Sequence, residues 1–288
     1  MSAPATSKSI GMIGLGLMGQ AMAGRLLKGG FGVVGWDVNE AARRALVEQG
    51  GRVARDVAEV FEVCERVVLS LPDSKVVRSV LGEIGTMGEG RTVIDTSTGD
   101  PEDAVVTADA VAAKGGRYLD ATVSGSSAQV AAGTVTLMVG GDADVVEACR
   151  DVFGCLGPVM FHAGAAGNGA RMKLVTNLVL GLNRAALAEG LTLARVLGLE
   201  PRQALEVMMG SMAYSRIMDT KGAKMIEEDF AVQAKLTQHL KDVRLMIAAA
   251  AEDGLKLPLS EAHRGLLEKA EALGCGELDN SAVIRAYS

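Results

Sequence analysis

The chain is short of the residues that most often mark a nucleic-acid, metal or membrane protein. Aromatic side chains make up 3% of its 288 residues, so its cores must be built from aliphatic side chains and from 14 methionines. Positive charge is in deficit: a formal net charge of -6 gives no basic field for nucleic acid or an anionic membrane. The four cysteines, Cys64, Cys149, Cys155 and Cys275, form no Cys-x-x-Cys pair and have no histidine at metal-ligand spacing. They read as reduced structural thiols. His162, His239 and His263 lie too far apart in sequence to point to a ligand set, and no metal is expected. The first nine residues lack the apolar core of a signal peptide, and no uninterrupted apolar run of 18 residues occurs. The expectation is a soluble, cytoplasmic protein whose anionic ligands are met by local cations or aimed backbone amides.

Glycine is plentiful, at 36 residues, and its placement is informative. From Ser9 the pattern is strand, glycine turn and helix: Ile10 to Leu15, then Gly16-Leu17-Met18-Gly19, then Gln20 to about Lys28. Gly29-Gly30 stops the helix and Phe31 to Trp36 reads as the next strand, ending at Asp37. Alone, Gly-x-Gly-x-x-Gly can be merely a tight turn. Here Gly14, Gly16 and Gly19 lie between a strand and a helix, and Asp37 follows 23 residues after Gly14, which matches a dinucleotide-binding fingerprint in context. Gly14 permits the turn, Gly16 leaves room for a pyrophosphate, and Gly19 lets helix pack on strand. Amides of Leu15, Leu17 and Met18 and the helix dipole then face the phosphates. Asp37, with Asn39 just beyond it, would hold the adenosine ribose. Its carboxylate repels a 2′-phosphate and favours NAD, with NADP left possible because Arg43 and Arg44 follow.

Alternation continues as a doubly wound sheet requires. Helical 39–49 precedes a weak strand near 51–53, and helical 56–63 precedes strand 67–71, ended by Pro72. Helical 75–81 leads to strand 92–95, and helical 103–114 to a strand ending in Ser124-Gly125-Ser126-Ser127. Leu71, Pro72 and Thr98 thus fall just past carboxyl ends of strands, where such sheets bind ligands. A Ser-Gly-Ser turn can hold a carboxylate without a cation, or can be a plain connection. Strand 134–139, helical 143–153 and strand 158–161 complete the α/β half. Strand signals then vanish: helices are expected over about 166–197, 201–211, 230–252 and 260–273, with a last short one capped by Asp279-Asn280-Ser281. The reading is an α/β Rossmann-type doubly wound domain over residues 1–165, and an all-α domain over 166–288 opened by a long connecting helix. Its apolar faces are expected to cover a second copy as a homodimer or homotetramer.

The connecting helix carries Lys173 and Asn177 four residues apart, with Gly169 and Gly181 extending the same line. The glycines could simply admit a crossing helix while Lys173 extends its ammonium into water. Alternatively, the lysine stands at the mouth of a cleft for proton transfer. The stretch by itself leaves both open.

Four motifs in order resemble the β-hydroxyacid dehydrogenase family, which contains 3-hydroxyisobutyrate dehydrogenase and tartronate semialdehyde reductase. They are Gly14 to Ala23, Asp120-Ala121-Thr122-Val123-Ser124-Gly125-Ser126, Gly167-x-Gly169-x-x-x-Lys173-x-x-x-Asn177, and Lys241-Asp242-Val243. The resemblance implies hydride transfer between NAD(P) and a short β-hydroxyacid or its semialdehyde. It implies that Ser124, Gly125 and Ser126 hold the substrate carboxylate and that Lys173 is the general acid and base, its pKa lowered by partial burial from about 10.4. Asn177 would orient the lysine or the substrate, and Lys241 and Thr98 would hold the nicotinamide side. The family usually has Pro where Thr122 stands and Gly where Ser126 stands, and Ser126 places a side chain beside the carboxylate cradle. Two other readings remain: a non-catalytic dinucleotide-binding sensor or scaffold, and an imine reductase-like or other aldehyde reductase of the same superfamily, the related imine reductases lacking a lysine at the Lys173 position.

Overall fold

A computed structural model describes residues 9–287. They fall into two compact units, one ending at Lys173 and one beginning at Leu174. In the first, β1 (Ser9–Ile13), β2 (Gly32–Trp36), β3 (Arg52–Val53), β4 (Arg66–Leu69), β5 (Thr92–Asp95), β6 (Arg117–Ser124), β7 (Thr136–Gly140) and β8 (Val159–Gly164) form one sheet in the order β3-β2-β1-β4-β5-β6-β7-β8. Every pair is parallel except β6 with β7. The strand order reverses beside β1, where β2 pairs on one side and β4 on the other. That is the topological switch point at which open α/β sheets bind ligands.

Side-chain alternation builds a core on each face of the sheet. Val68, Ile94 and Leu119 pack with residues of α1 (Leu17–Lys28) and, further along the chain, Val130, Val152 and Phe153. Their neighbours Val67, Leu69, Val93 and Tyr118 turn the other way, onto Val57, Val60 and Phe61 of α3 (Val57–Val63) and Val77 and Leu81 of α4 (Ser74–Gly82). Each such side chain fully buried contributes about 1.5–3 kcal/mol. Asn39 caps α2 (Glu40–Glu48), and Asp56, Asp73 and Asp100 cap α3, α4 and α5 (Pro101–Ala113), each accepting a first-turn amide.

Some elements differ from the sequence expectation. A short helix, α6 (Ser127–Ala132), follows the Ser-Gly-Ser turn. The helix expected over 143–153 breaks at Cys149 into α7 (Ala143–Ala148) and α8 (Arg150–Leu156).

The second unit is all-helical, with α9 (Asn168–Val196) running into it from the first, then α10 (Pro201–Met209), α11 (Ile217–Glu227), α12 (Leu236–Glu252), α13 (Pro258–Ala270) and a 3-10 helix over Asn280–Tyr287. The helix α11 lacked a clear sequence signal, and the helix expected from Phe230 starts only at Leu236. The buried carboxylate of Asp279 accepts the amides of Gln233 and Ala234 (3.0 and 3.2 Å) and pairs with the Lys221 ammonium at 2.8 Å, which keeps the residues before Leu236 out of the helix. The helix expected over 260–273 gives way after Ala270 to a wide turn containing Gly274 at φ 82°. No helix among the described residues is long and apolar enough to cross a membrane.

His239 and His263, far apart in sequence, meet with ring centroids 5.2 Å apart, and a Cβ at Gly181 would run into both rings. The crossing at Gly181 is therefore filled by imidazoles. Burial, reinforced by the nearby Arg184 guanidinium, pulls the His263 pKa down to about 4. Because the unfolded chain binds this proton first, near pH 6.5, His263 withdraws stability as pH falls from 6.5 to about 4, on the order of 3 kcal/mol in all. The urea midpoint should fall over that window, and fall less in His263→Gln; equal pH slopes in the two proteins would contradict the assignment.

Candidate active site

The turn after β1 is built for an anion. Gly16 is the N-cap of α1 and offers no side-chain cap, so the first-turn amides lack an intrahelical acceptor. A Cβ at Gly16 would stand in open space, whereas one at Gly19 would strike the Gly14 carbonyl. Close packing beneath and open space above is the cradle that a pyrophosphate fills. Leu17 is exposed on this turn and Leu15 is buried beneath it. Asp37 stands at the end of β2, where its carboxylate accepts the Leu15 amide at 2.6 Å and the Asn39 amide at 2.7 Å. Each oxygen keeps a further lone-pair site for a ribose hydroxyl. Asn39 itself turns its side chain to the Ala41 amide, as the cap of α2. Arg43 lies over the Trp36 ring at 4.6 Å and donates to the Asp37 carbonyl at 2.5 Å. The residues present therefore fit a dinucleotide.

Along the same sheet edge, the Leu71 amide after β4 donates to the Ser97 hydroxyl after β5 at 3.0 Å, and Ser97 is itself tied to Asp95 by its amide at 2.9 Å. This link positions the Leu71-Pro72 turn beside Thr98, and Ser97 had no distinguishing signal in the sequence. Behind the edge, burial raises the Asp95 pKa and pushes the Tyr118 hydroxyl, which bonds Asp95 at 2.8 Å, well above the usual tyrosine value.

The strand β6 ends in the Ser124-Gly125-Ser126 turn. Gly125 takes φ 154°, and a Cβ there would press into Val135 at 2.6 Å, so no larger residue fits. Ser126 forms a capping box at the start of α6: its hydroxyl accepts the Gln129 amide, and the Gln129 side chain accepts the Ser126 amide. The extra side chain at this position is thus used within its own helix. Lys173 is 9% exposed, and its ammonium donates to the carbonyl of Val123 at 2.7 Å, one residue before Ser124. The sequence could not reveal that carbonyl, because a backbone acceptor carries no residue signature.

On the second unit, Asn177 lies one turn after Lys173 along α9 and is 7% exposed. Its amide nitrogen donates to the buried carboxylate of Asp242 at 3.1 Å. Lys241, partly buried, precedes that aspartate on α12. The Lys241-Asp242 pair was noticed for its lysine; the aspartate's bond to Asn177 emerges only from the packing of α12 on α9.

Residues 9–164 match the family model described as the NAD binding domain of 6-phosphogluconate dehydrogenase. Residues 167–287 match the one described as NAD-binding of NADP-dependent 3-hydroxyisobutyrate dehydrogenase. Glyoxylate/succinic semialdehyde reductase 1 of Arabidopsis thaliana is 35% identical over 96% of this chain and 97% of its own length. The cytokine-like nuclear factor N-PAC of Xenopus tropicalis is 34% identical over 98% of this chain, which spans only 54% of that relative. Among solved structures, 3-hydroxyisobutyrate dehydrogenase of Mycobacterium tuberculosis with L-serine superposes with a TM-score of 0.89 at 29% identity, covering 98% of this chain and 99% of that one.

Proposed function

We propose, for a chain that belongs to the β-hydroxyacid dehydrogenase family of the 3-hydroxyisobutyrate dehydrogenase type, that Lys173 is the general acid and base of hydride transfer to or from a short β-hydroxyacid. The protein is an NAD(P)-dependent oxidoreductase of hydroxyacids and semialdehydes. The observation that carries the role of Lys173 is the bond of its ammonium to the Val123 carbonyl, beside the Ser124-Gly125 turn. When bound, the nicotinamide supplies the hydride acceptor or donor. In the oxidation direction neutral Lys173 would take the hydroxyl proton as the carbinol carbon gives up its hydride, leaving a carbonyl. In reduction the lysinium gives that proton to the developing alkoxide.

Ser124 and the Gly125 amide hold the carboxylate in this reading, and Ser126, engaged in its capping box, leaves them room. Asn177, its amide nitrogen held by Asp242, orients the lysine or the substrate. Gly14, Gly16 and Gly19 cradle the pyrophosphate with Leu15, Leu17 and Met18, Asp37 and Asn39 take the ribose, and Leu71, Pro72, Thr98 and Lys241 the nicotinamide half. Preference for NAD is supported by the Asp37 carboxylate and by Arg43, whose guanidinium is engaged by Trp36 and the Asp37 carbonyl. Semialdehydes enter as candidate substrates because an Arabidopsis relative is named for them. The four free cysteines fit a reducing, cytoplasmic setting.

Lys173→Ala should lower turnover of the best acid in a panel of 3-hydroxyisobutyrate, glycerate, serine, threonate and hydroxybutyrate by about 10²- to 10⁴-fold, the usual range for general acid-base catalysis, while NAD affinity survives. Near-normal turnover in this variant would sink the role. Dinucleotide binding by the unaltered protein with no turnover of any acid or semialdehyde would instead favour a non-catalytic sensor. Asp37→Ala should narrow the ratio of NAD to NADP efficiency; an unaltered protein that already prefers NADPH removes the argument from Asp37.

Association with a second copy is proposed through the helical unit, where Val179 (54% exposed), Val196 (79%) and Val207 (65%) leave apolar surface on α9 and α10 open to solvent. Light scattering should give at least a dimer, and a monomer at micromolar concentration would contradict it.

A further inference from the structure

We propose that Asp120 is a positioning residue: from β6 it fixes the first turn of α9, and with Thr122 it sets where the Lys173 ammonium lies relative to the Ser124-Gly125 turn. The inference rests on the reading of Lys173 as the proton-transfer group.

Asp120 is 2% exposed, and its two carboxylate oxygens are shared between two amides of one helix start. Oδ1 accepts the Gly167 amide at 2.9 Å and Oδ2 accepts the Ala170 amide at 2.8 Å. A helix ordinarily satisfies such amides with a side chain of its own cap residue. Here Asn168, the first residue of α9, is turned to the Ala163 carbonyl and to Arg171 instead. The acceptor comes from a strand some fifty positions earlier in the chain, and it is a carboxylate, whose withdrawal from water is costly unless donors surround it. The amides and the positive end of the α9 dipole supply that compensation.

The grip is two-sided. Two residues further along β6, the Thr122 hydroxyl donates to the Gly169 carbonyl at 2.9 Å. That carbonyl is also the one to which the Lys173 amide points in an α-helix. Gly169 lies so close to the sheet that a Cβ would come within 2.7 Å of the Met138 carbonyl and 2.8 Å of Asp120 Oδ2. The next residue, Val123, receives the Lys173 ammonium. Asp120, Thr122 and Val123 therefore hold in sequence two amides, a carbonyl and a side chain of the segment from Gly167 to Lys173, and Ser124 and Gly125 follow at once. The strand acts as a ruler with the lysine at one mark and the carboxylate cradle at the next. A displacement of about 1 Å between reacting groups can lower a rate by about 10²-fold, so the ruler matters for turnover more than for binding.

Asp120→Asn keeps the size but sets an amide NH2 against one helix amide, and Thr122→Val removes the hydroxyl at nearly constant volume. With the best acid of the panel above, kcat should fall about 10- to 100-fold in Asp120→Asn and about 3- to 10-fold in Thr122→Val. NADH affinity, read by fluorescence quenching, should stay within about twofold, because the pyrophosphate turn is untouched. The kcat-pH profile should shift in both variants, since the ammonium loses its fixed acceptor geometry, and Thr122→Ser should restore the parent values. A folded Asp120→Asn with parental kcat and pH profile overturns the inference, as does a loss of kcat matched by loss of NADH binding. Should Asp120→Asn not fold, the Thr122→Val and Thr122→Ser pair decides by the same criteria. Lys173→Ala run alongside separates the two levels. If it is inactive while Asp120→Asn is normal, only the positioning inference falls; if it retains turnover, the role of Lys173 falls and takes the inference with it.

Discussion

A lysine ammonium drawn out of water is the constraint on which the site depends. It must have an acceptor, and one that it has is a main-chain carbonyl, that of Val123. A backbone acceptor is fixed only as well as the strand that carries it. Here that strand is β6, whose first half, Arg117 to Asp120, pairs with β5 and whose second half, Asp120 to Ser124, pairs with β7. Placing the acceptor in the β7-paired half of β6 ties the position of the Lys173 ammonium to the sheet of the first unit. The same placement puts it at the carboxyl end of a strand, where the switch point beside β1 and the turns after β4 and β5 also open.

The glycine turn and the Asp37 position were legible in the sequence because their chemistry is local: a turn, a helix start and a carboxylate at fixed spacing. Lys173 and Asn177 were legible as a pair on one helix face, though their assignment needed the family resemblance. The bond of Asn177 to Asp242 joins residues 65 apart, and the anchoring of α9 by Asp120 joins residues 50 apart. No periodicity encodes such contacts. The carbonyl of Val123 lies further still from view, since any residue would supply it.

The misread elements have similar causes. Residues from Phe230 to Lys235 have a helical composition, but Asp279 captures the amides of Gln233 and Ala234 and the chain bends there instead of entering the helix. Cys149 interrupts the helix expected over 143–153, a span with no proline or glycine to announce the break. The antiparallel setting of β7 on β6 follows from α6, a helix of six residues, too brief to return the chain for a parallel strand. His239 and His263 meet because Gly181 leaves them room, so a glycine read for a close helix crossing admits two rings instead.

The capping box of Ser126 with Gln129 marks where one responsibility ends and another begins. On the reading of Lys173 as the proton-transfer group, β6 upstream of it would hold the geometry of that transfer, while the box ties Ser126 into α6. On that reading reaction and selectivity would be separable in the chain, with new substrates reached by altering residues after the turn and the proton-transfer groups left in place.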